Sequence, residues 1–119
     1  HENLNFDTLE SAIKIFIGEH NFLSFTGRLL PKNANTVRKI NSLDYKLSDR
    51  EIIIKISAKS FLYQQVRRII GSLIMLMKNK IDLDSITNAL NFPSKGKYNL
   101  LVSSKGLYLS DIKYKNIFN

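Results

Sequence analysis

Seven apolar side chains between Phe61 and Met77 recur at helical spacing, and this stripe is the strongest constraint that the sequence places on its fold. They stand at i, i+3, i+4 and i+7 positions, namely Leu62, Val66, Ile69, Ile70, Leu73, Ile74 and Met77. A helix with such a stripe must bury it against another element. Shortly before it, residues 52–56 are β-branched apart from Lys55, which favours a strand. We therefore predict a sheet with helices packed on it.

The region upstream contains a second helical pattern. Asp7 followed by Glu10 is similar to a capping box, and apolar residues at helical spacing then predict a first helix over residues 8–17. Residues 18–25 form a short aromatic stretch, and we predict that an irregular connection containing Gly27 follows it.

Residues 36–47 alternate between apolar and polar side chains, which predicts a strand. Because residues 48 and 49 are Ser and Asp, a turn signal, this strand is expected to pair with residues 52–56 as an antiparallel hairpin.

Downstream of the long helix, Asp82 or Asp84 is a candidate cap for a short helix that ends near Leu90. Residues 107–114 then predict a final strand. We expect its contributors to the core to be the apolar residues Leu107, Leu109 and Ile112.

The predicted order is α-β-β-α-α-β, which is the ferredoxin-like β-α-β-β-α-β unit without its first strand. The fold class is therefore α+β. The first strand of that unit is central in the sheet, so we predict a gap beside the last strand. The chain also begins with His1 rather than Met, and we expect a further segment upstream.

Positive charge is concentrated in the middle of the chain. The whole chain carries a formal charge of +8, and residues 28–80 alone carry twelve Lys and Arg against three acids, a net +9. Such a basic region suits a phosphate-backbone partner, because each neutralised phosphate releases counterions. The alternative is a lysine-rich protein with solvated faces.

The sequence lacks the residues that two features would require, a cysteine-based or metal site and a membrane-spanning segment. The chain has no Cys and only two His, so it offers neither a disulfide framework nor a thiolate or Cys/His metal site. Its longest apolar stretch, residues 69–77, is far shorter than the ~20 residues that span a bilayer. We expect a soluble protein of the cytoplasm that binds no metal and no membrane.

Arg67 and Arg68 interrupt the apolar stripe of the long helix. Adjacent residues point about 100° apart, so at least one of the two must lie near the edge of the core, where a cation needs an anion. Gly71 shares the face of Arg67 and would allow a neighbour to approach closely. The alternative is a helix with exposed arginines and a glycine that serves tight packing.

Four segments resemble motifs of the TruA family of tRNA pseudouridine synthases. Residues 61–71 resemble FLxxMVRxIVG, residues 18–25 resemble GxHDFxxF, residues 36–40 resemble TxRxI, and residues 106–109 resemble GLYL. All four occur in the family's order. They place the chain, residues 1–119, as the C-terminal domain of such a protein and imply the ferredoxin-like half of the pseudouridine synthase fold.

The resemblance also implies an activity. Members of this family isomerise uridine to pseudouridine in the anticodon stem-loop of tRNA, at tRNA positions 38 to 40, without cofactor or metal. An aspartate attacks the target nucleotide, the glycosidic bond breaks, the base turns, and a carbon–carbon bond closes. The base must first leave its stack. The family resemblance further implies a homodimer, with one tRNA reaching across both subunits.

By the same resemblance, particular residues acquire roles. Arg67 aligns with the arginine beside the catalytic aspartate, and Leu107 and Tyr63 are placed at the substrate pocket. Arg38 is expected to contact the RNA backbone, its alternative being a solvated strand residue. Weaker candidates for the same surface are Lys39, Gln64 and Arg68.

Other motif residues are expected to be structural. We predict Phe22 and Phe25 in the core, and His20 as a hydrogen-bonding residue rather than an acid–base catalyst. Asn21 stands where the family usually has Asp.

The family's nucleophile motif, RTDxGVHA, has no counterpart in this sequence. We expect that motif upstream, together with the missing strand, so that this chain alone would be inactive. Two alternatives remain: a non-catalytic RNA-binding module on the same ferredoxin-like scaffold, and an interaction domain that binds no nucleic acid.

Overall fold

The computed structural model describes residues 3–27, 30–47 and 52–97, together with the backbone of one strand over 112–118. The fold is α+β, as predicted. In chain order its elements are α1 (Phe6–Phe16), β1 (Gly18–Asn21), a 3-10 helix (Leu23–Phe25), β2 (Val37–Leu47), β3 (Ile52–Ala58), α2 (Gln65–Met77), α3 (Leu83–Asn91) and β4 (Ile112–Phe118). This is the predicted α-β-β-α-α-β order with one additional short strand, β1.

The sheet has the order β1-β2-β3-β4. The predicted hairpin is confirmed, because β2 and β3 pair antiparallel from Ile40↔Ala58 to Leu47↔Ile52. The predicted gap beside the last strand is wrong, since β4 pairs directly with β3 in parallel over seven residues. An edge strand presents unpaired backbone groups, and the connection through α2 and α3 is long enough to return a parallel strand to that edge.

The last strand also differs in its position along the chain. It was predicted over residues 107–114 and is observed over Ile112–Phe118. Leu107 and Leu109 lie outside the described residues.

The first helix begins earlier than the sequence pattern predicts. Its cap is Asn5, whose side-chain oxygen accepts a hydrogen bond from the backbone N–H of Thr8 at 3.0 Å. Asp7, predicted as the cap, lies instead within the first turn, where a carboxylate favours the positive end of the helix dipole. The helix ends before Gly18, whose φ of +105° turns the chain into β1.

The other two helices keep their predicted faces. The apolar stripe of α2 is buried, but the helix starts at Gln65 rather than near Phe61. The short helix is confirmed, with Asp82 as its cap, because the Asp82 carboxylate accepts hydrogen bonds from the backbone N–H and hydroxyl of Ser85 at 3.0 and 2.9 Å.

The hydrophobic core lies between the sheet and the helices. On β3, alternate residues face it, and all are fully buried: Ile52, Ile54, Ile56 and Ala58. The opposite side of the hairpin, which we call its outer face, carries polar pairs such as Asp44 opposite Lys55. The register of β2 shifts between Ile40 and Ser42, so Asn41 forms a bulge next to this face.

Within the part of the chain that the structure describes, no helix is long and apolar enough to cross a membrane.

Candidate functional site

The N-terminal end of α2 begins with a residue in an uncommon backbone conformation. Gln64 has φ 60° and ψ 11°, in the left-handed region, and its side chain does not cap the helix. The side chain of Gln65 reaches back instead, and its oxygen accepts a hydrogen bond from the N–H of Leu62 at 2.8 Å. Non-glycine residues held in this conformation cost of order 1–3 kcal/mol and cluster at functional sites. The strained residue therefore marks this helix end as a candidate site.

Gly27 holds the strained segment in place. Its backbone N–H donates to the carbonyl of Tyr63 at 3.1 Å. A Cβ at position 27 would lie 2.6 Å from Cδ2 of the Tyr63 ring and 2.6 Å from the side-chain oxygen of Gln64. Any side chain at position 27 would therefore have to displace those of Tyr63 and Gln64, a constraint that the sequence pattern around position 27 did not reveal.

The two arginines of α2 differ in burial. Arg68 is only 6% exposed, and its Nη2 donates to the side-chain oxygen of Gln64 at 3.1 Å. Arg67 is half-buried. Both stand within the first four residues of α2, and the first turn of this fully described helix contains no acid. Because the helix dipole is also positive at this end, the arrangement favours binding of an anion.

The exposed side chain beside these arginines is Tyr63, which is 49% exposed. The side-chain amide of Gln64 lies 3.4 Å from the Tyr63 hydroxyl and donates to it. Four predicted site residues, Tyr63, Gln64, Arg67 and Arg68, therefore stand together at one helix end. The fifth member of the predicted site, Leu107, lies outside the described residues.

The remaining predicted residues lie at the start of β2. Nη1 of Arg38 donates to the carbonyls of Asn35 and Val37, at 2.8 Å each, so the guanidinium is held against its own strand. Lys39 is exposed and lies opposite Glu19 of β1. The segment from Lys59 to Gln64 leads from the end of β3 to α2 and connects this second group with the first.

Asn21 connects two of the motif segments, residues 18–25 and residues 36–40. Its side-chain oxygen accepts hydrogen bonds from the Leu23 N–H at 3.1 Å and from the Thr36 hydroxyl at 2.7 Å. His20 places Nε2 3.2 Å from the carbonyl of Ile17 and so has the expected structural role. The two aromatic residues predicted for the core are fully buried, namely Phe22 and Phe25.

Shifted pKa values occur away from the predicted site residues. A 2.6 Å hydrogen bond from the Tyr45 hydroxyl to Glu10 raises the pKa of Tyr45 to about 12. The hydrogen bonds from Ser85 lower the pKa of Asp82 below its usual value. Among the described residues, no group of three or more His, Cys, Asp and Glu side chains could hold a metal ion. Of the two groups with shifted pKa values, Tyr45 connects the hairpin with α1, and Asp82 caps α3.

Comparison with known proteins agrees with the motif analysis. A family model described as tRNA pseudouridine synthase matches residues 12–115. The tRNA pseudouridine synthase A of Finegoldia magna is 32% identical over 111 residues, which cover 93% of this chain and 45% of that protein. The protein of the same name from Mycoplasmoides gallisepticum is 36% identical, with 94% and 41% covered. That from Buchnera aphidicola is 33% identical, with 99% and 44% covered. The chain spans less than half the length of these curated relatives.

Proposed function

The chain belongs to the tRNA pseudouridine synthase family, and from this membership we propose that it is the C-terminal part of an enzyme that isomerises uridine to pseudouridine in tRNA. The observation that carries the proposal is the N-terminal end of α2. There, within the matched region, two arginines, a strained Gln64 and the positive end of the helix dipole combine at one place. Such an end is suited to hold a carboxylate in its ionised form.

The proposed reaction uses an aspartate from the remaining part of the enzyme. That aspartate attacks the target nucleotide, and the glycosidic bond between N1 of uracil and C1′ of the ribose breaks. The uracil then turns, and its C5 forms a bond to C1′ while the aspartate is released. C5 loses its hydrogen and N1 gains a proton. Arg67 is proposed to pair with the aspartate, keeping it ionised and oriented in a poorly hydrated pocket. No redox step or external group is needed, because substrate and product are isomers.

The proposed substrate contacts involve two groups of residues, one at the N-terminal end of α2 and the other at the start of β2. Tyr63, exposed beside Gly27, is proposed to contact the flipped nucleotide together with Leu107. The Arg68 side chain donates a hydrogen bond to that of Gln64, and we propose that this pair holds the RNA-binding surface in position. Arg38 and Lys39 are proposed to bind the RNA backbone.

Three finer elements complete the proposal. The RNA segment recognised is the anticodon stem-loop, the enzyme acts as a homodimer, and it works in the cytoplasm. The family resemblance supports all three, and light scattering of the native-length protein tests the dimer directly.

The first test measures release of tritium from uridine C5 in an anticodon stem-loop, since formation of pseudouridine replaces that hydrogen. Two proteins are compared, this chain alone and the native-length protein that contains it. We expect release only from the longer protein, and loss of release on the order of a hundredfold or more in its Arg67→Ala variant.

A matched control removes a cation elsewhere. Lys14→Gln changes an exposed residue in the last turn of α1 and is expected to keep full activity. If the native-length protein binds the stem-loop tightly and releases no tritium, the catalytic proposal is wrong and a binding module remains.

A further inference from the structure

A cavity of about 640 Å³ lies where β2 begins and β3 ends. Three cations line it, Arg38, Lys39 and Lys59, against one acid, Glu19. The other lining side chains are mostly neutral and polar, including Ser60. Lys59 belongs to no motif or periodic pattern of the sequence, because it follows the strand pattern and precedes the helix motif. The cavity as a whole carries an excess of two positive charges.

Strand pairing brings two of these cations close to each other. Ile40 of β2 pairs with Ala58 of β3, so Lys39 and Lys59 each stand one residue beyond this pair, on neighbouring chain segments. Both side chains are exposed and line the same cavity. Like charges at such neighbouring positions repel each other. An anion placed between them would relieve this repulsion.

The third cation is fixed in advance. Nη1 of Arg38 donates to two backbone carbonyls, those of Asn35, just before β2, and Val37, its first residue. The side-chain oxygen of Asn35 in turn accepts from the N–H of Val37 at 3.0 Å, which orders the entry into β2. The cavity therefore combines one guanidinium that is already held in place with two exposed ammonium groups, and only the ammonium groups need to be ordered when a ligand binds.

The residues that line the cavity also suit the ribose units that connect the phosphates of RNA. Val37 is an apolar residue with 39% exposure at the rim, and Glu19 supplies a carboxylate that can accept a hydrogen bond from a ribose 2′-hydroxyl. Only three residues separate Lys59 from Tyr63, which lies just before the N-terminal end of α2. A strand of RNA lying in the cavity could therefore continue toward the proposed active site.

We propose that Lys59, with Lys39 and Arg38, forms a binding site for the phosphodiester backbone of RNA that flanks the target nucleotide. This inference rests on the proposed function, since it names a contact that positions the same substrate. Lys59 would act through charge, with the Ser60 hydroxyl as an additional donor to phosphate.

The test compares Lys59→Gln with Lys55→Gln in the native-length protein. Lys55 is also exposed and lies four positions earlier, within β3, where it stands opposite Asp44 and does not line the cavity. Binding of an anticodon stem-loop is measured between 50 and 200 mM salt. Each lost phosphate contact should lower the slope of log affinity against log salt by about 0.7–0.9.

For Lys59→Gln we expect this lower slope, and its affinity deficit should shrink about threefold between the two salt concentrations. Lys55→Gln should keep the slope of the unsubstituted protein, and Lys59→Arg should keep most of the affinity. Circular dichroism verifies that each variant is folded.

Two results would overturn the inference, and they can be told apart. If the unsubstituted protein binds the stem-loop and Lys59→Gln has the same slope and affinity, the site is wrong while the proposed function stands. If the unsubstituted protein does not bind RNA, both proposals fail.

Discussion

The two ends of α2 are built in different ways. At its C-terminal end, the N–H of Lys78 donates to the carbonyl of Ile74 at 3.0 Å, and Asn79 takes the left-handed conformation that Asn tolerates well. The side chain of Asn5 then donates to the side-chain oxygen of Asn79, while the backbone N–H of Asn5 donates to the carbonyl of Met77. Local preference and tertiary contacts agree at this end.

At the N-terminal end they disagree. A left-handed position is occupied by Gln64, a residue that adopts this conformation less readily than Asn, and two arginines stand at the positive end of the dipole. Contacts from Gly27 and Gln65 hold the strained segment. Proteins tend to break local rules where function requires it, so this contrast supports placing the site at the N-terminal end rather than the C-terminal end.

The largest effect on stability is expected from Gly27→Ala, which inserts a methyl group where Tyr63 and Gln64 approach most closely. The added Cβ must displace both side chains, and we expect a loss of about 1–2 kcal/mol in the free energy of unfolding. Activity of the native-length protein should fall by roughly tenfold or more, because displaced contacts misplace the substrate. Urea unfolding and tritium release measure the two effects.

A second substitution tests the cause of that loss. Adding Tyr63→Ala to Gly27→Ala removes the obstructing ring, so most of the lost stability should return. Equal stability of the single and double variants would show that the close approach at Gly27 is not responsible.

A smaller change in stability is expected when the strain itself is relieved. Gln64→Gly removes the cost of the left-handed conformation but also removes the hydrogen bond to Arg68, so the free energy of unfolding should change by less than about 1 kcal/mol. Tritium release should nevertheless fall several-fold, since the arginine loses a contact that orients it.

The matched substitution at the other end is Asn79→Gly, which also replaces a left-handed residue. It should leave tritium release unchanged. If Gln64→Gly retains full activity as well, the two ends of α2 are functionally equivalent and the strain at Gln64 has no catalytic meaning.

The smallest expected effect is a change of stability with pH that depends on Asp82. This residue caps α3 and lies just beyond the C-terminal end of α2. The pKa of Asp82 is lowered in the folded protein by hydrogen bonds from Ser85, so its stabilising contribution is complete above the ordinary pKa of an aspartate, about 4. It disappears as the pH falls through the lowered value. The stability difference between the unsubstituted protein and Asp82→Ala should therefore be constant near neutral pH and decrease below about pH 4. Urea titrations at several pH values measure it, and a pH-independent difference would contradict the assignment.

Much of the fold could be predicted because its signals are local. Alternating residues in 36–47 and the β-branched run in 52–56 predicted a hairpin that is observed as Val37–Leu47 and Ile52–Ala58. The stripe of α2 and the cap at Asp82 were likewise confirmed. The strand β1 was missed because residues 18–21, Gly-Glu-His-Asn, carry no strand preference, and its pairing with β2 is what makes it a strand.

The sequence suggested residues for the candidate site but not their arrangement. The motif resemblance named Tyr63, Gln64, Arg67 and Arg68, yet the helical spacing suggested that the helix already included Phe61. The true start depends on Gly27, which is distant in sequence and binds the Tyr63 backbone. Lys59 was overlooked for a similar reason, since only the register of β2 and β3 places it beside Lys39.

By itself, then, the sequence determined that three helices and a hairpin form, which of their faces are buried, and which family the motifs resemble, because periodicity and residue type act over a few neighbouring positions. Tertiary structure alone decided where α2 begins, which of its two arginines is buried, and which cations share a cavity. These properties depend on contacts between residues far apart in the chain, and such contacts leave no periodic signal in the sequence.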